Sequence, residues 1–266
     1  MVQPFDIFVI SLEKAARRRE YMRAQLEGKG VEYTFFPGVD GRNLAPDLSD
    51  AWIDDALSTA VYGKPLTPGE KGCALSHILL WEKVARRGKG ALILEDDVAL
   101  PKGSLRELVT PLLPELKKDR VILLRHIANS FWWKGRLRLD GVSYTLRKPN
   151  HKILMAAAYL ITPLAAQKLV AFLKKHRLAH PLDWWYRPDG LGFTKVVDTW
   201  ATSRELIASN YEIKSTIDAM EGDRDHLKSL SRIGWIKRQL FLATRWVLFP
   251  WMRLVRSFWF KPIQPE

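Results

Sequence analysis

Short apolar runs alternate with segments of helical period through most of this chain, the pattern of an α/β protein. Phe5 to Leu12 is the first run and reads as a buried strand. From Lys14 to Glu27 the apolar positions Ala15, Tyr21, Met22 and Leu26 recur on a helical period, and Gly28 and Gly30 end the segment. Val31 to Pro37 is a second strand, so the chain opens β-α-β, which implies a parallel sheet and a right-handed crossover. Residues 43–66 keep no clean period and are expected to form short helices over the sheet face.

Thr67-Pro68-Gly69-Glu70 is a well-formed helix start. Thr67 can cap, Pro68 suits the first helical position, and Glu70 closes a capping box. The helix is predicted to run through Trp81 to about Arg87 and stop at Gly88. Ala91 to Leu94 is a strand, Leu105 to Lys117 a helix that Pro111 and Pro114 kink or split, and Arg120 to Leu124 another strand. Ile153 to Thr162 is a longer strand and Pro163 to Lys175 a helix. No repeat or low-complexity linker precedes residue 228, so a domain over 1–227 and a tail over 228–266 is the simplest division.

Composition fits a folded protein: 47% of the 266 residues are hydrophobic and 27% charged. The single cysteine, Cys73, rules out an internal disulfide and a multi-cysteine zinc site. Ile7 to Ile10 is too short and too acidic in its approach for a signal peptide, so a cytoplasmic location is the expectation. The net charge of +13 is concentrated near the end: Lys228 to Lys261 holds eight Lys or Arg and no Asp or Glu. Trp235, Trp246, Trp251 and Trp259 are interleaved there with Phe241, Phe249, Phe258 and Phe260. The longest uncharged stretch, Trp246 to Met252, falls far short of the ~20 residues that span a bilayer. Basic residues mixed with Trp and Phe describe a segment lying in an anionic membrane interface. Packing of a helix pair and nucleic-acid binding are the alternatives, and we expect no nucleic-acid partner.

Glu95-Asp96-Asp97 changes the picture most. Three adjacent carboxylates repel one another, and a fold that gathers them at a strand end usually has a cation to put there. Open α/β sheets bind ligands at that end of their strands. A solvated acidic turn is the alternative.

Several segments together resemble glycosyltransferase family 25, which includes the bacterial lipooligosaccharide galactosyltransferases and collagen-modifying relatives. Ile7-Phe8-Val9-Ile10-Ser11-Leu12 with Arg17 and Met22 is similar to the family's first strand and arginine-bearing helix, although the family commonly ends that strand Asn-Leu. Gly38-Val39-Asp40-Gly41 resembles its turn, Gly69 to His77 its Gly-x-x-Gly-Cys-x-x-Ser-His block, and Leu94 to Val98 its acidic motif. Weaker echoes are Ala158 to Ile161, Pro181-Leu182-Asp183 and Ser215 to Ile217. The resemblance implies an A-type glycosyltransferase (GT-A) Rossmann-like fold with a mostly parallel sheet, to which the basic aromatic tail is added. It also implies a UDP-sugar donor (UDP-galactose first among them), a divalent metal, Mn²⁺ or Mg²⁺, and inversion at the anomeric carbon. The acceptor would be a lipid-linked bacterial glycan, met at the cytoplasmic face of the inner membrane.

Under that resemblance Asp97 is assigned to the metal, Asp96 to the metal or a bridging water, and Glu95 to the ribose or the fold. Inversion also needs a base apart from the cation, because a metal-bound carboxylate is a poor proton acceptor. Asp183, beside Trp184-Trp185-Tyr186, is that candidate, with aromatics to raise its pKa and stack on a sugar; a helix-capping Asp beside a core cluster is the alternative. Asp198 is the reserve. Arg17 is the candidate to reach the nucleotide, with Arg18 and Arg19 solvated. Asp40 meets uridine or ribose, or serves only its turn. The matched block gives His77 a site role, against the structural role usual for a lone helical histidine. Cys73 reads as small-residue packing.

Overall fold

The computed structural model describes residues 4–128, 131–149, 153–185 and 192–210. The whole predicted tail and Tyr186 lie outside the described residues. The opening unit is β1 (Asp6–Ser11), α1 (Ala16–Leu26) and β2 (Thr34–Pro37). Two short helices follow, α2 (Pro46–Trp52) and α3 (Asp55–Tyr62), then α4 (Pro68–Arg87) and β3 (Ala91–Glu95). The rest is β4 (Val98–Ala99), α5 (Leu105–Val109), β5 (Arg120–Ala128), β6 (Phe131–Arg138), β7 (Thr145–Pro149), β8 (Ile153–Ile161), α6 (Pro163–His176), β9 (Asp198–Thr202) and β10 (Ala208–Ser209).

Eight strands form one sheet in the order β2-β1-β3-β8-β5-β9-β7-β6. β1 pairs in parallel with β2 and β3, and β9 with β5. β8 runs against β3 and β5, β7 against β9 and β6. All strands but β8 and β7 therefore point one way, and the mixed α/β sheet is consistent with a GT-A-like fold.

Side-chain alternation divides the core between the two faces of the sheet. Phe8, Ile10 and Ile93 pack with α4 and α6, while Ile7, Val9, Leu92 and Leu94 pack with α1 and α5. Burial on both faces explains why these strands read as unbroken apolar runs. The cap of α4 forms as expected: the Glu70 amide donates to Thr67 Oγ1 at 3.3 Å and the Thr67 amide to Glu70 Oε2 at 2.7 Å. Gly88, at φ 66°, closes its other end. Pro111 and Pro114 have no amide to donate, so α5 stops at Val109 and a 3-10 turn, Thr110–Glu115, follows.

Two of the sequence blocks meet through glycines. A Cβ on Gly72 would lie 2.6 Å from the Val39 carbonyl oxygen and 2.7 Å from the Gly41 nitrogen; one on Gly41 would lie 1.6 Å from the Pro68 oxygen. The Gly38-to-Gly41 turn thus rests backbone against backbone on the start of α4. Ser76 ties the same joint, its Oγ accepting from the Val39 amide at 2.8 Å and donating to the Gly72 carbonyl at 2.6 Å. We expect Gly72→Ala to lower stability by about 2 kcal/mol, roughly 4–8 °C in Tm, because the clash with fixed backbone outweighs the ~1 kcal/mol that alanine adds to helix propensity. Thermal unfolding checks this, and an unchanged or raised Tm would show that the joint is loose.

Candidate active site

The carboxyl ends of the three parallel strands β2, β1 and β3 open into one pocket. Ser11 and Leu12 follow from β1, Gly38 to Gly41 from β2, and Glu95, Asp96 and Asp97 from β3. α4 supplies the remaining wall with Gly69, Gly72, Cys73, Ser76 and His77. The glycine joint that docks the turn on α4 therefore also shapes the pocket.

The three acids are held differently. Asp96, 5% exposed, accepts from Arg18 NH1 at 2.6 Å. Asp97 lies 3.5 Å from Arg18 NH2, and burial together with Glu95 pushes its carboxyl up to about 7. Burial, then Asp96, raises Glu95 as well. Glu95 Oε1 is 3.1 Å from His77 Nε2 and 3.7 Å from Cys73 Sγ. His77 is buried, and desolvation lowers its pKa to about 4. The His77–Glu95 contact is therefore a hydrogen bond of a neutral imidazole, not an ion pair.

A polar chain behind His77 sets its resting tautomer. Trp81 Nε1–H, which can only donate, gives its proton to the Tyr159 hydroxyl at 2.8 Å. Tyr159 then has its own proton for His77 Nδ1, also at 2.8 Å, which leaves Nε2–H to donate to Glu95. The aromatic cluster of Trp81, Tyr159, Trp185 and Phe193 encloses this chain, with ring centroids 5.6–6.3 Å apart.

Asp183 stands beside the pocket lining. Its Oδ1 accepts from the Ala156 amide at 3.3 Å, and Ala156 lies on β8 two residues beyond the Ala158–Leu94 pair, towards the acids. Burial first, and then the charge of Glu95, raise its pKa, while His77 counteracts. Four carboxyl groups thus gather with Arg18 as the guanidinium against them.

Several expectations need correction. Arg17 is exposed, and it is Arg18, 12% exposed, that α1 turns onto the acids. Asp40 lines the pocket but is taken up by Lys14 and by Arg42, whose Nε is 3.1 Å away, and their hydrogen bonds hold its carboxyl well below the usual range. Asp198, the reserve base, pairs with Arg120 at the first residue of β5, the opposite end of the sheet. Trp185 is fully buried in the core and offers no face to a sugar. Cys73, expected only to pack, lines the pocket, and burial raises its thiol pKa. Tyr159 was not legible as a functional residue because its hydroxyl sits in an apolar strand run.

The acid pair fits a hard divalent cation. Asp96 and Asp97 are adjacent oxygen donors, with Glu95 beside them and Arg18 as the guanidinium against them; burial first, and then the charge of Glu95, raises the pKa of Asp97.

The pocket lies outside the carboxyl ends of parallel strands, the edge at which open α/β sheets commonly bind ligands. Residues 5–185 match the family described as Glycosyltransferase family 25 (LPS biosynthesis protein), and the chain belongs to that family. Among its relatives, a "Glycosyltransferase 25 family member" of Aedes aegypti is 40% identical over 96 residues, 35% of this chain and 16% of that protein. "Inactive glycosyltransferase 25 family member 3" of Homo sapiens is 36% identical over 137 residues, 47% of this chain and 22% of that protein. "Procollagen galactosyltransferase 1" of Danio rerio is 34% identical over 97 residues, 35% of this chain and 16% of that protein. The matches thus span less than a quarter of each of these relatives. Family membership supports a transferase role.

Proposed function

We propose that this protein is an inverting, metal-dependent hexosyltransferase that moves galactose from UDP-galactose onto a lipid-linked bacterial glycan such as lipooligosaccharide core. The observation that carries the reading is the strand-end pocket lined by Glu95, Asp96 and Asp97, with Asp183 beside that lining and near enough for Glu95 to raise its pKa. Asp96 and Asp97 hold the Mn²⁺ or Mg²⁺. A cation held there would supply Lewis-acid stabilisation of the nucleotide's phosphates. Arg18 adds a fixed positive charge at the same place and keeps Asp96 oriented. Glu95, fixed by His77, presents a carboxyl to the donor's hydroxyls. Asp183, raised towards neutrality and apart from the acid pair, takes the proton from the acceptor hydroxyl as the new glycosidic bond forms.

Turnover of UDP- and GDP-sugars, with and without Mn²⁺, tests this. We expect hydrolysis or transfer with a UDP-hexose only when metal is present. Nucleotide binding with no turnover of any donor would favour a binding module, a reading that the relative named inactive keeps in view.

The segment from Lys228 to Lys261 holds the enzyme peripherally on the cytoplasmic face of the inner membrane, where lipid-linked acceptors are presented. It lies outside the described residues, and among those no helix is long and apolar enough to cross a membrane. Its eight basic residues, with about 1 kcal/mol each near an anionic surface, and its unscreened aromatic burial support this role. The full chain should pellet with anionic liposomes, bind neutral ones much less and be partly released by high salt. Equal indifference to both lipids would refute the anchor.

A further inference from the structure

We propose that Cys73, His77 and Glu95 form a second cation site, for a thiophilic divalent ion such as Zn²⁺ or Co²⁺, distinct from the hard oxygen pair Asp96 and Asp97. This goes beyond the transferase reading and does not depend on it; an ion there would replace the His77–Glu95 hydrogen bond, so this site and the donor-facing role of Glu95 are alternative states of the same residues. Cys73 and His77 are four residues apart on α4, so their side chains leave the same face of the helix. Glu95 reaches them from the end of β3. Sγ, the imidazole nitrogen and a carboxylate oxygen all lie within 4.8 Å of one another.

The spacing suits tetrahedral coordination. Zinc bonds of about 2.3 Å to sulfur and about 2.0–2.2 Å to nitrogen and oxygen give tetrahedral edges of roughly 3.6 Å for S···O and roughly 3.4 Å for N···O. The corresponding separations here are 3.7 Å from Cys73 Sγ to Glu95 Oε1 and 3.1 Å from His77 Nε2 to the same oxygen. Both lie within about 0.3 Å of the tetrahedral edges, and the third pair, sulfur and nitrogen, lies within 4.8 Å. All three residues line the pocket, and three protein ligands leave a fourth position for water, as in three-ligand zinc sites. The second shell is built as well: the Tyr159 hydroxyl, 2.8 Å from His77 Nδ1, fixes the ring with Nε2 towards Glu95. A thiolate and an imidazole favour a borderline or soft ion over Mn²⁺ or Mg²⁺, which the neighbouring carboxylates suit better.

Binding can be balanced in protons. As the metal bonds form, the Cys73 thiol proton, and that of Glu95 where its carboxyl is protonated, leave to bulk solvent. His77 must give its Nε2 lone pair, so its proton moves to Nδ1, where the Tyr159 oxygen accepts it while still accepting from Trp81. The Tyr159 hydroxyl then rotates its own proton off Nδ1, and the buried O–H that loses this acceptor is a cost the metal bonds must exceed.

Because the chain has one cysteine, the test is specific. Tag-free full-length protein is titrated with Co²⁺ in the presence of excess Mg²⁺. We expect one equivalent to give the near-ultraviolet sulfur-to-cobalt charge-transfer band with the intense visible bands of tetrahedral cobalt, and Zn²⁺ to abolish both. Cys73→Ser should lose the charge-transfer band while keeping the wild-type circular dichroism, and Asp97→Asn should retain it. Should Cys73→Ser fail to fold, histidine ¹⁵N resonances of the wild type decide: Zn²⁺ must move His77 from the Nε2–H to the Nδ1–H form. The site is refuted if no band appears at saturating Co²⁺, if a band survives in Cys73→Ser or vanishes in Asp97→Asn, or if the histidine resonances do not change. Failure of donor turnover leaves all these readouts untouched.

Discussion

Asp97→Asn should lower turnover at least about a hundredfold, about 2.7 kcal/mol of barrier, while making the metal-free protein more stable. The substitution keeps size and removes the charge proposed to hold the cation. The stability change follows from linkage. Asp97 has its pKa raised from an unfolded value near 3.8 to about 7, so the folded state keeps a proton that the unfolded state has lost between those pH values. Stability therefore falls as pH rises through that window, and at pH 8 the ionised carboxylate is a net liability. Asparagine removes the liability, and Tm of the metal-free variant at pH 8 should exceed wild type by several degrees, with little difference at pH 4. Parallel Mn²⁺-dependent turnover and thermal melts in EDTA check both halves. Full activity of the variant, or wild-type activity in excess EDTA, would sink the metal assignment. A lower Tm at pH 8 would show that Asp97 is a structural anchor of Arg18.

What the sequence disclosed and what it withheld divide along physical lines. The start of α4 was legible because a capping box, a proline at the first position and a glycine stop are local chemistry, and Thr67, Pro68 and Gly88 serve as read. β1 and β3 were legible because burial on both faces leaves no polar position to confuse the run. The β6–β7 hairpin was missed since its strands, Phe-Trp-Trp-Lys-Gly-Arg-Leu-Arg at the sheet edge and Thr-Leu-Arg-Lys-Pro beside it, carry charged residues that interrupt any apolar run. The reversal of β8 was equally hidden, because an apolar run carries no sign of its direction.

The same division applies to the pocket. Glu95, Asp96 and Asp97 could be placed at a strand end from the run that precedes them. Which of Arg17, Arg18 and Arg19 faces them could not. The phase of α1 against β1 is set by the turn from Leu12 to Ala15, and Ala15 caps without a side-chain bond that a sequence could signal. Asp198, the reserve to Asp183 in the sequence, is removed by strand direction, which puts it at the far end of the sheet. The Trp81–Tyr159–His77–Glu95 chain joins residues from α4, β8 and β3, and only the folded sheet brings the three together.

Asp183→Asn should abolish transfer to an acceptor while leaving UDP affinity within about threefold of wild type. The carboxyl lies outside the pocket lining and apart from the acid pair, so binding the nucleotide does not need it, whereas an acceptor hydroxyl cannot be activated without a base. Loss of a general base is commonly a factor of about 10²–10⁴. The pH profile gives a second readout. Burial and Glu95 raise Asp183 to about 6, and the base form is the ionised one, so kcat in wild type should climb between about pH 5 and 7 and level off above. The residual rate of Asp183→Asn should lack that limb. The amide can still accept from the Ala156 amide through its oxygen, so the fold should survive. A variant that unfolds or loses UDP binding marks Asp183 as a structural support of β8. A variant that keeps wild-type transfer and the same pH limb places the base elsewhere, and Glu95, which also carries a raised carboxyl at the pocket, is the next to test.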